Sequence, residues 1–368
     1  MNNQKIQTLA AEAVELLREM VAIPSPSFEE AGVCSRISRW MSDKHIEHQR
    51  VGNNIIAEHT AGQNLPTLML CAHIDTVIPC EGYSFDPYLP DYAHAAEVIG
   101  KAIGRKVNST EIVAGLGSND DGASVVSMLA VYRHFLGKST NLTLVLTCEE
   151  ERSGKDGMTG LWIKQLNRID YAIVGEPTGM KAATSERGLL VIDATAHGIS
   201  GHAARNEGKN ALYIALEDIE KLRRHEFSRI SPRMGKVNLN VTQINAGTAH
   251  NVIPDTCTFV IDIRPTEQYT NEEILEELQG ICVSELKPRN LSNRSSATHE
   301  NSPLQKAAES IGIETFSSPT TSDWMRITCD AVKMGPGDSA RSHRKDEFVL
   351  VSEIEEAINI YIEFINTL

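Results

Sequence analysis

The sequence predicts an α/β fold with a mostly parallel sheet, interrupted by an inserted α+β module of ferredoxin-like character. Short continuous apolar runs, typical of strands covered on both faces, alternate with helical patterns. Near residue 180 the strands begin to alternate like half-exposed ones, and from about residue 293 the α/β pattern returns. The 368 residues also exceed what one simple core encloses. We therefore predict a main domain at 1–180 and 293–368 and an inserted domain at 181–292.

The elements of the first domain follow in order. A first helix ends before Ile23, and Ser27 and Glu30 have the spacing of a capping box for a second helix through about Met41. A further helix is predicted over 121–136. The strands are predicted at 55–58, 67–71, 142–147 and 171–174.

The inserted module has its own series of elements. Two helices over a small antiparallel sheet account for its pattern. The predicted elements are strands at 188–196, 236–244 and 256–263 and helices at 210–225 and 271–286. After the module, the elements are a helix near 304–310, a strand at 331–334 and a closing helix from residue 352.

Composition excludes several classes of partner. The formal net charge is -14, which disfavours nucleic acid and anionic membrane surfaces because both attract a basic face. No apolar run approaches the roughly 20 residues of a membrane span, and charged residues interrupt the first helix, unlike a signal peptide. The seven cysteines include no C-x-x-C pair. We therefore expect a cytoplasmic protein with reduced thiols.

Imidazoles and carboxylates recur where the predicted strands end. Ligands of open α/β sheets bind outside the carboxyl ends of the strands, so these groups are candidates for one site. Each also has a plain alternative: a surface strand end for His73, a helix N-cap for Asp120, and a solvated turn for the glutamate run. The groups are His73, Asp75, Asp120, Glu149, Glu150, Glu151, Glu176 and His343.

The mixture of groups suits a pair of metal ions. Two histidines with three carboxylates can bind two zinc ions that share one carboxylate. Such a pair activates water and polarises a carbonyl, and a further carboxylate serves as general base. Alternation along the chain groups Glu149 with Glu151 and separates Glu150, which agrees with two different roles without assigning them.

The motifs together resemble one family over the whole chain. They are CAHIDTV, GLGSNDDGA, TCEEE, VGEPT and GPGDSARSH, with GISGHAA and NVIPD in the inserted module. They resemble the di-zinc family of acetylornithine deacetylase, succinyl-diaminopimelate desuccinylase and carboxypeptidase G. The resemblance implies that Asp120 bridges two zinc ions, which cobalt could replace. The other implied ligands are His73 and Glu176 on one ion and Glu151 and His343 on the second.

The resemblance also implies roles around the metals. The family pattern fixes the register from Thr147, so Glu150 is the general base, Glu151 is the ligand, and a slip by one residue is the alternative. Asp75 orients His73, and the peptide bond between Asp120 and Asp121 is cis.

The inserted module resembles the family's lid and dimerisation domain, which implies a homodimer. His202 is then the histidine that reaches a neighbouring subunit's site and holds the oxyanion. Asn251 and Arg264 resemble lid residues that bind substrate. Arg341 is a further candidate for a substrate carboxylate, through its nearness in sequence to His343.

The expected activity is hydrolysis of an N-acylated amino acid. N-acetyl-ornithine in arginine biosynthesis is the leading substrate, closely followed by N-succinyl-ornithine. The alternatives are succinyl-diaminopimelate desuccinylase, a di- or tripeptidase or carboxypeptidase, and a non-catalytic binding protein. The sequence departs from many relatives at Asp121-Gly122, where they carry Met-Lys. It also has a longer link at 91–113, which puts substrate specificity in question.

Overall fold

The computed structural model describes residues 3–166, 168–205 and 207–368. The chain forms two compact units, and the second is inserted into the chain of the first. The first unit comprises Met1–Thr184, Thr298–Phe316 and Ser322–Leu368, and the second comprises Ser185–Ala297 and Ser317–Thr321. Among the described residues, no helix combines the length and the apolar character that crossing a membrane requires.

The helices occupy the following ranges. They are α1 Asn3–Val21, α2 Ala31–Asp43, α3 Tyr92–Ala102, α4 Gly122–Phe135, α5 Met158–Lys164, α6 Ala211–Arg224, α7 Asn271–Gln279, α8 Pro303–Ser310 and α9 Val351–Thr367. Short 3-10 turns lie at Glu150–Arg152, Ala203–Arg205, Asp323–Arg326 and Ser339–Arg341.

The strands occupy the following ranges. They are β1 Gln49–Val51, β2 Asn54–His59, β3 Thr67–His73, β4 Ile112–Ala114, β5 Asn141–Thr147, β6 Tyr171–Val174, β7 Ala182–Glu186, β8 Leu190–His197, β9 Gly201–His202, β10 Asn238–Ala246, β11 Val252–Ile253, β12 Thr256–Arg264, β13 Glu285–Pro288, β14 Ser296–Ala297, β15 Thr315–Ser318, β16 Asp330–Lys333 and β17 Phe348–Leu350.

The first unit is built on a sheet whose central strands are parallel. Its order is β1-β2-β5-β3-β6-β16-β7, and the pairs β5–β3, β3–β6 and β6–β16 are parallel. Leu68 and Leu70 pack into the core formed with α1, α4 and α9, whereas Met69 and Cys71 pack into the core that includes α5. Both faces are therefore covered, and the carboxyl ends of four neighbouring strands meet at one edge. This confirms the predicted α/β class.

The second unit has a four-stranded antiparallel sheet in the order β10-β12-β8-β13. Buried and half-buried residues alternate along β8, because α6 and α7 bury their apolar sides in the same core as only one face of this sheet. The predicted helix over 271–286 is wrong in its second half. Gly280 caps α7, and Leu286 lies in β13 opposite Ala194, where its side chain joins that core.

The predicted capping box at the start of α2 is also wrong. Glu30 precedes α2 without a side-chain cap, and its carboxylate accepts instead from Phe28 N at 2.6 Å and Asn53 Nδ2 at 3.0 Å. The Ser27 hydroxyl donates to Asp75 Oδ2 at 2.7 Å. Two polar residues with capping spacing therefore serve the strand ends rather than the helix.

The longer link at 91–113 forms structure of its own. Asp91 caps α3 by accepting from Ala93 N at 2.9 Å, and β4 pairs antiparallel with β17. A small separate core holds these pieces together. It consists of Phe85, Ala95, Ala96, Ile99, Val107, Ile112, Ala114 and Phe348.

Candidate active site

His73 ends β3 at the edge where the parallel strands meet, level with Thr147 at the end of β5. The imidazole is almost completely buried. Its Nδ1 lies 2.9 Å from the Asp75 carbonyl oxygen, and that oxygen can only accept. Nδ1 therefore donates to it, and Nε2 is directed at Asp120 Oδ1 at 3.2 Å.

Asp75 is fully buried and acts as an acceptor for several donors. Its carboxylate accepts from the backbone N–H groups of Glu150 at 3.0 Å and Glu151 at 3.1 Å, in addition to the Ser27 hydroxyl. These bonds, with the nearby His73, hold the pKa of Asp75 below its usual value against the opposing effect of burial. Asp75 thus ties the glutamate turn to the end of β3.

Asp120 lies between the two imidazoles. Its Oδ1 faces His73, and its Oδ2 lies 3.7 Å from His343 Nε2. The bond to Asp121 is cis, as the resemblance implied. Asp121 is buried behind the site and accepts from His73 N at 3.4 Å. One carboxylate directed at two imidazoles is the geometry of a bridging ligand.

The three consecutive glutamates point to different places. Glu149 adopts a left-handed backbone conformation, and its side chain turns away to accept from Asp156 N at 3.1 Å. Glu151 Oε1 lies 2.8 Å from His343 Nε2. The charge of Glu150 acts on His73, so its carboxylate belongs to the same group of side chains.

Several carboxyl groups of the site lie close together, and their pKa values reflect this crowding. Burial raises the pKa of Glu150 well above its usual value, opposed by His73 and reinforced by the charges of Asp323 and Glu151. Burial raises the pKa of Glu176, which follows β6, in the same way, and the charges of Asp120 and Glu150 add to it. Such a concentration of negative charge favours a bound cation.

His343 lies in the loop after β16 and has a left-handed backbone, with φ 55°. The hydrogen bond to Glu151 raises the pKa of His343 to about 9 against the opposing effect of partial burial. His73 behaves similarly, since its contacts with Asp120 and Asp75 outweigh its burial and raise its pKa. Both imidazoles are thus set against carboxylates that could share a metal with them.

The residues present fit a metal. Donor atoms of His73, Asp120 and Glu151 all lie within 4.8 Å of one another, and His343 contacts two of these three residues. Imidazole nitrogens with carboxylate oxygens are a donor set that zinc accepts, as do other first-row metals. Glu176 also lies near this group, because the charge of Asp120 contributes to its raised pKa.

Sequence reasoning missed Asp323 and Glu347. Asp323 opens a 3-10 turn before β16, and its Oδ2 accepts from Thr147 Oγ1 at 2.7 Å. Burial raises the pKa of Asp323 to about 6, with Thr147 opposing. Glu347 is buried and accepts the backbone N–H of Asp120 at 3.0 Å. Only the short spacing from His343 to Glu347 could have indicated the latter.

In the second unit, His202 and Asn251 lie side by side. β9 and β11 pair so that His202 is opposite Val252, and Ala203 N donates to the Asn251 carbonyl at 3.0 Å. The exposed His202 ring accepts from Ala204 N through Nδ1 at 3.2 Å, so Nε2 carries the proton. His202 therefore presents a donor outward.

Both arginines chosen as carboxylate binders already face a carboxylate of the chain. Arg264 bonds Asp262 through Nε at 2.9 Å and a terminal nitrogen at 3.1 Å. Arg341 bonds Glu353 with two nitrogens, at 2.7 and 3.0 Å, and covers the Phe348 ring at 4.3 Å. Their roles toward substrate stay predictions, with ion pairing as the competing explanation.

Comparison with known proteins gives consistent results. A family model described as a peptidase dimerisation domain matches residues 184–290. A succinyl-diaminopimelate desuccinylase of Delftia acidovorans is 26% identical over 95% of this chain and 96% of its own length.

Solved structures share the fold at low identity. The aminopeptidase PepT of Bacillus cereus has a TM-score of 0.73 at 17% identity, covering 97% of this chain and 98% of its own. A dinuclear metal-binding peptidase of the M20 family from Bacillus subtilis has a TM-score of 0.71 at 18% identity, covering 98% of each chain. These likenesses cover nearly the whole chain, and they show a fold shared with metallopeptidases such as the M20 peptidase of Bacillus subtilis.

Proposed function

We propose that this protein is a metal-dependent hydrolase of an N-acylated amino acid, with N-succinyl-diaminopimelate as the leading substrate. The observation that carries the proposal is the convergence of two imidazoles and several carboxylates at one sheet edge. The likeness to a desuccinylase over 95% of the chain supports the succinyl substrate. The motifs had favoured N-acetyl-ornithine and arginine biosynthesis, and none of the relatives described above adds support for that substrate.

Two metal ions, with zinc as the leading candidate, complete the proposed site. Asp120 would be the ligand that both ions share, because its two oxygens face different imidazoles. Bound there, the metals would activate a water molecule and polarise the amide carbonyl. The remaining proposed ligands are His73 and Glu176 for one ion and Glu151 and His343 for the other.

Residues of the chain are assigned the remaining roles: proton transfer, positioning of an imidazole, stabilisation of the oxyanion and substrate binding. Glu150 takes a proton from the attacking water and passes it to the leaving amine. Asp75 holds the neighbouring imidazole through its backbone carbonyl and carboxylate. His202 donates from Nε2 to the developing oxyanion of a partner subunit's substrate. Asn251 and Arg264 contact the substrate from the same inserted unit.

We also propose a homodimer through the inserted unit, as the matching dimerisation domain suggests. Tyr213 and Leu216 lie three residues apart on α6 and expose 64% and 47% of their surface. β10 lies at an edge of its sheet, where it can pair with another strand. Light scattering of the Leu216→Glu variant should give a smaller mass than wild type, and an unchanged dimer would argue against this surface.

Rate measurements test the proposed activity directly. Zinc-loaded protein is assayed with N-succinyl-diaminopimelate, N-succinyl-ornithine, N-acetyl-ornithine and a set of di- and tripeptides. We expect the succinyl substrates to have the highest kcat/KM. Preference for N-acetyl-ornithine would restore the motif-based expectation, and activity confined to free peptides would replace the proposal with a peptidase.

A further inference from the structure

The proposed bridging ligand lies on a loop that no strand ladder fixes. Asp120 belongs to the segment between β4 and α4, whereas His73 ends a strand paired on both sides. Yet the backbone N–H groups of Asn119 and Asp120 converge on one oxygen, Glu347 Oε1, at 2.9 and 3.0 Å. The Glu347 side chain is almost completely buried, so water does not compete for these donors.

A second set of bonds joins the same loop to the segment before His343. The Asn119 side-chain amide accepts from Asp338 N at 2.9 Å and donates to Asp338 O at 3.2 Å. Gly337 has φ 88°, and a Cβ there would lie 2.3 Å from Asn119 Oδ1. The close approach therefore requires glycine. Asp120 and His343 are thus positioned by neighbouring, mutually bonded loops.

Glu347 is itself anchored by the longer link at 91–113 and by the residues that flank this link. Its carbonyl accepts from Gly115 N at 2.8 Å, and the next residues form β17, which pairs with β4. Phe348 packs into the small core made by α3 and its flanks. On the other side, Ser84 N and Oγ donate to the Asp346 carboxylate at 2.6 and 2.8 Å. The link therefore holds the backbone from which Glu347 reaches the loop of Asp120.

We propose that Glu347 is a positioning residue for the metal pair, and that the 91–113 link is its outer support. Glu347 contacts neither metal nor substrate. It aligns Asp120 by accepting two successive backbone N–H groups, which sets the distance between the bridging carboxylate and His343. This inference rests on the metal site under the proposed function.

Zinc affinity tests the inference with a readout independent of turnover. Wild type, Glu347→Ala, Glu347→Asp and Glu347→Gln are titrated against a chromophoric zinc chelator, with urea unfolding recorded for each. Loss of an outer-shell partner typically weakens metal binding about 10–100-fold, and we expect that loss for Glu347→Ala. Glu347→Asp is expected to lose several-fold, because the shorter carboxylate reaches the N–H groups poorly. Glu347→Gln keeps an acceptor oxygen and should stay near wild type.

Glu355→Gln is the matched control, since Glu355 is exposed on α9. It should bind zinc as wild type does, and KM at saturating zinc should not change in any Glu347 variant.

Wild-type affinity in both Glu347→Ala and Glu347→Asp would overturn the inference. Equal losses in the Ala and Gln variants would assign the effect to charge and overturn it as well. If Glu347→Ala does not fold, the Asp and Gln pair decides. A wild-type protein that binds no zinc would overturn the proposed function together with the inference, whereas intact zinc binding and hydrolysis with indifferent variants would overturn the inference alone.

Discussion

The proposed ligands come from two kinds of backbone. His73 stands at the end of a strand with parallel partners on both sides, and Glu151 lies in the 3-10 turn Glu150–Arg152 shortly after β5. Asp120 and His343 lie in loops, and His343 has a left-handed conformation. On the strand side, the sheet ladder positions His73, and the bonds from the Glu150 and Glu151 N–H groups to Asp75 position the turn. The loop-borne ligands need dedicated acceptors, which Glu347 and Asn119 provide.

This difference suggests how the ligands on the strand side and on the loop side respond to substitution of the residues that hold them. On the strand side, one residue, Asp75, gathers the donors that hold the glutamate turn. On the loop side, Glu347 and Asn119 share this role, and the longer link supports them from outside. The effects of substitutions on the two sides can therefore be measured separately and compared.

The largest effect is expected at Glu150. Glu150→Gln removes the proposed general base, which typically supplies about 10²–10⁴-fold, so kcat should fall by that order. Zinc content should remain at the wild-type level, because Glu150 is not a proposed ligand. Glu149→Gln is the matched control and should change kcat little, since its side chain turns toward Asp156. The reverse result would shift the register by one residue.

The pH dependence of zinc binding should be nearly as large. In the metal-free protein the pKa of His343 is raised to about 9, so the imidazole is protonated at neutral pH and zinc must displace that proton. Apparent affinity should rise at least tenfold per pH unit between about pH 7 and 9, because the pKa values of the proposed ligands His73 and Glu176 are raised as well. Chelator competition at each pH measures this. Affinity that does not change with pH would remove His343 from the ligand set.

A strand-side counterpart to Glu347 is Asp75. Asp75→Asn replaces an acceptor-only group with an amide that cannot satisfy all three donors. Metal affinity or kcat/KM should fall about 10–100-fold. If Asp75→Asn and Glu347→Ala affected the same metal to the same extent, the distinction between strand-borne and loop-borne ligands would lose its basis.

The smallest effect is expected at Ser27. Ser27→Ala removes one of several donors to Asp75, so the free energy of unfolding should fall by about 1–3 kcal/mol, with a small change in kcat. Urea denaturation measures it. Ser42→Ala, at an exposed position of α2, serves as control and should be close to neutral. Equal stability of both variants would show that the Ser27 bond contributes nothing measurable.

Much of the fold could be predicted because buried apolar residues recur with the period of the helix or strand that contains them. The apolar runs at β3, β5 and β6 and the alternation in β8 identified both units. The helix predicted over 271–286 was too long because an apolar residue such as Leu286 fits a helix as well as a strand. Gly280, which caps α7, marks where the helix ends.

The site was predictable where a residue type is itself informative. An imidazole at a strand end, as at His73, indicates a candidate ligand, and the glutamate run after β5 has the same kind of position. Glu347 carries no such mark, since its role is to accept two backbone N–H groups from a loop far away in sequence. Ser27 satisfied a local capping pattern but bonds a distant carboxylate instead. Long-range hydrogen bonds of this kind leave no periodic trace in a single sequence.

The measurement that tests the central claim most directly is anomalous diffraction from crystals of the zinc-loaded protein. The account predicts two zinc peaks that share Asp120 as a ligand. The further ligands should be His73 and Glu176 on one ion and Glu151 and His343 on the other. A single ion, or Glu149 or Glu150 in the place of Glu151, would contradict it.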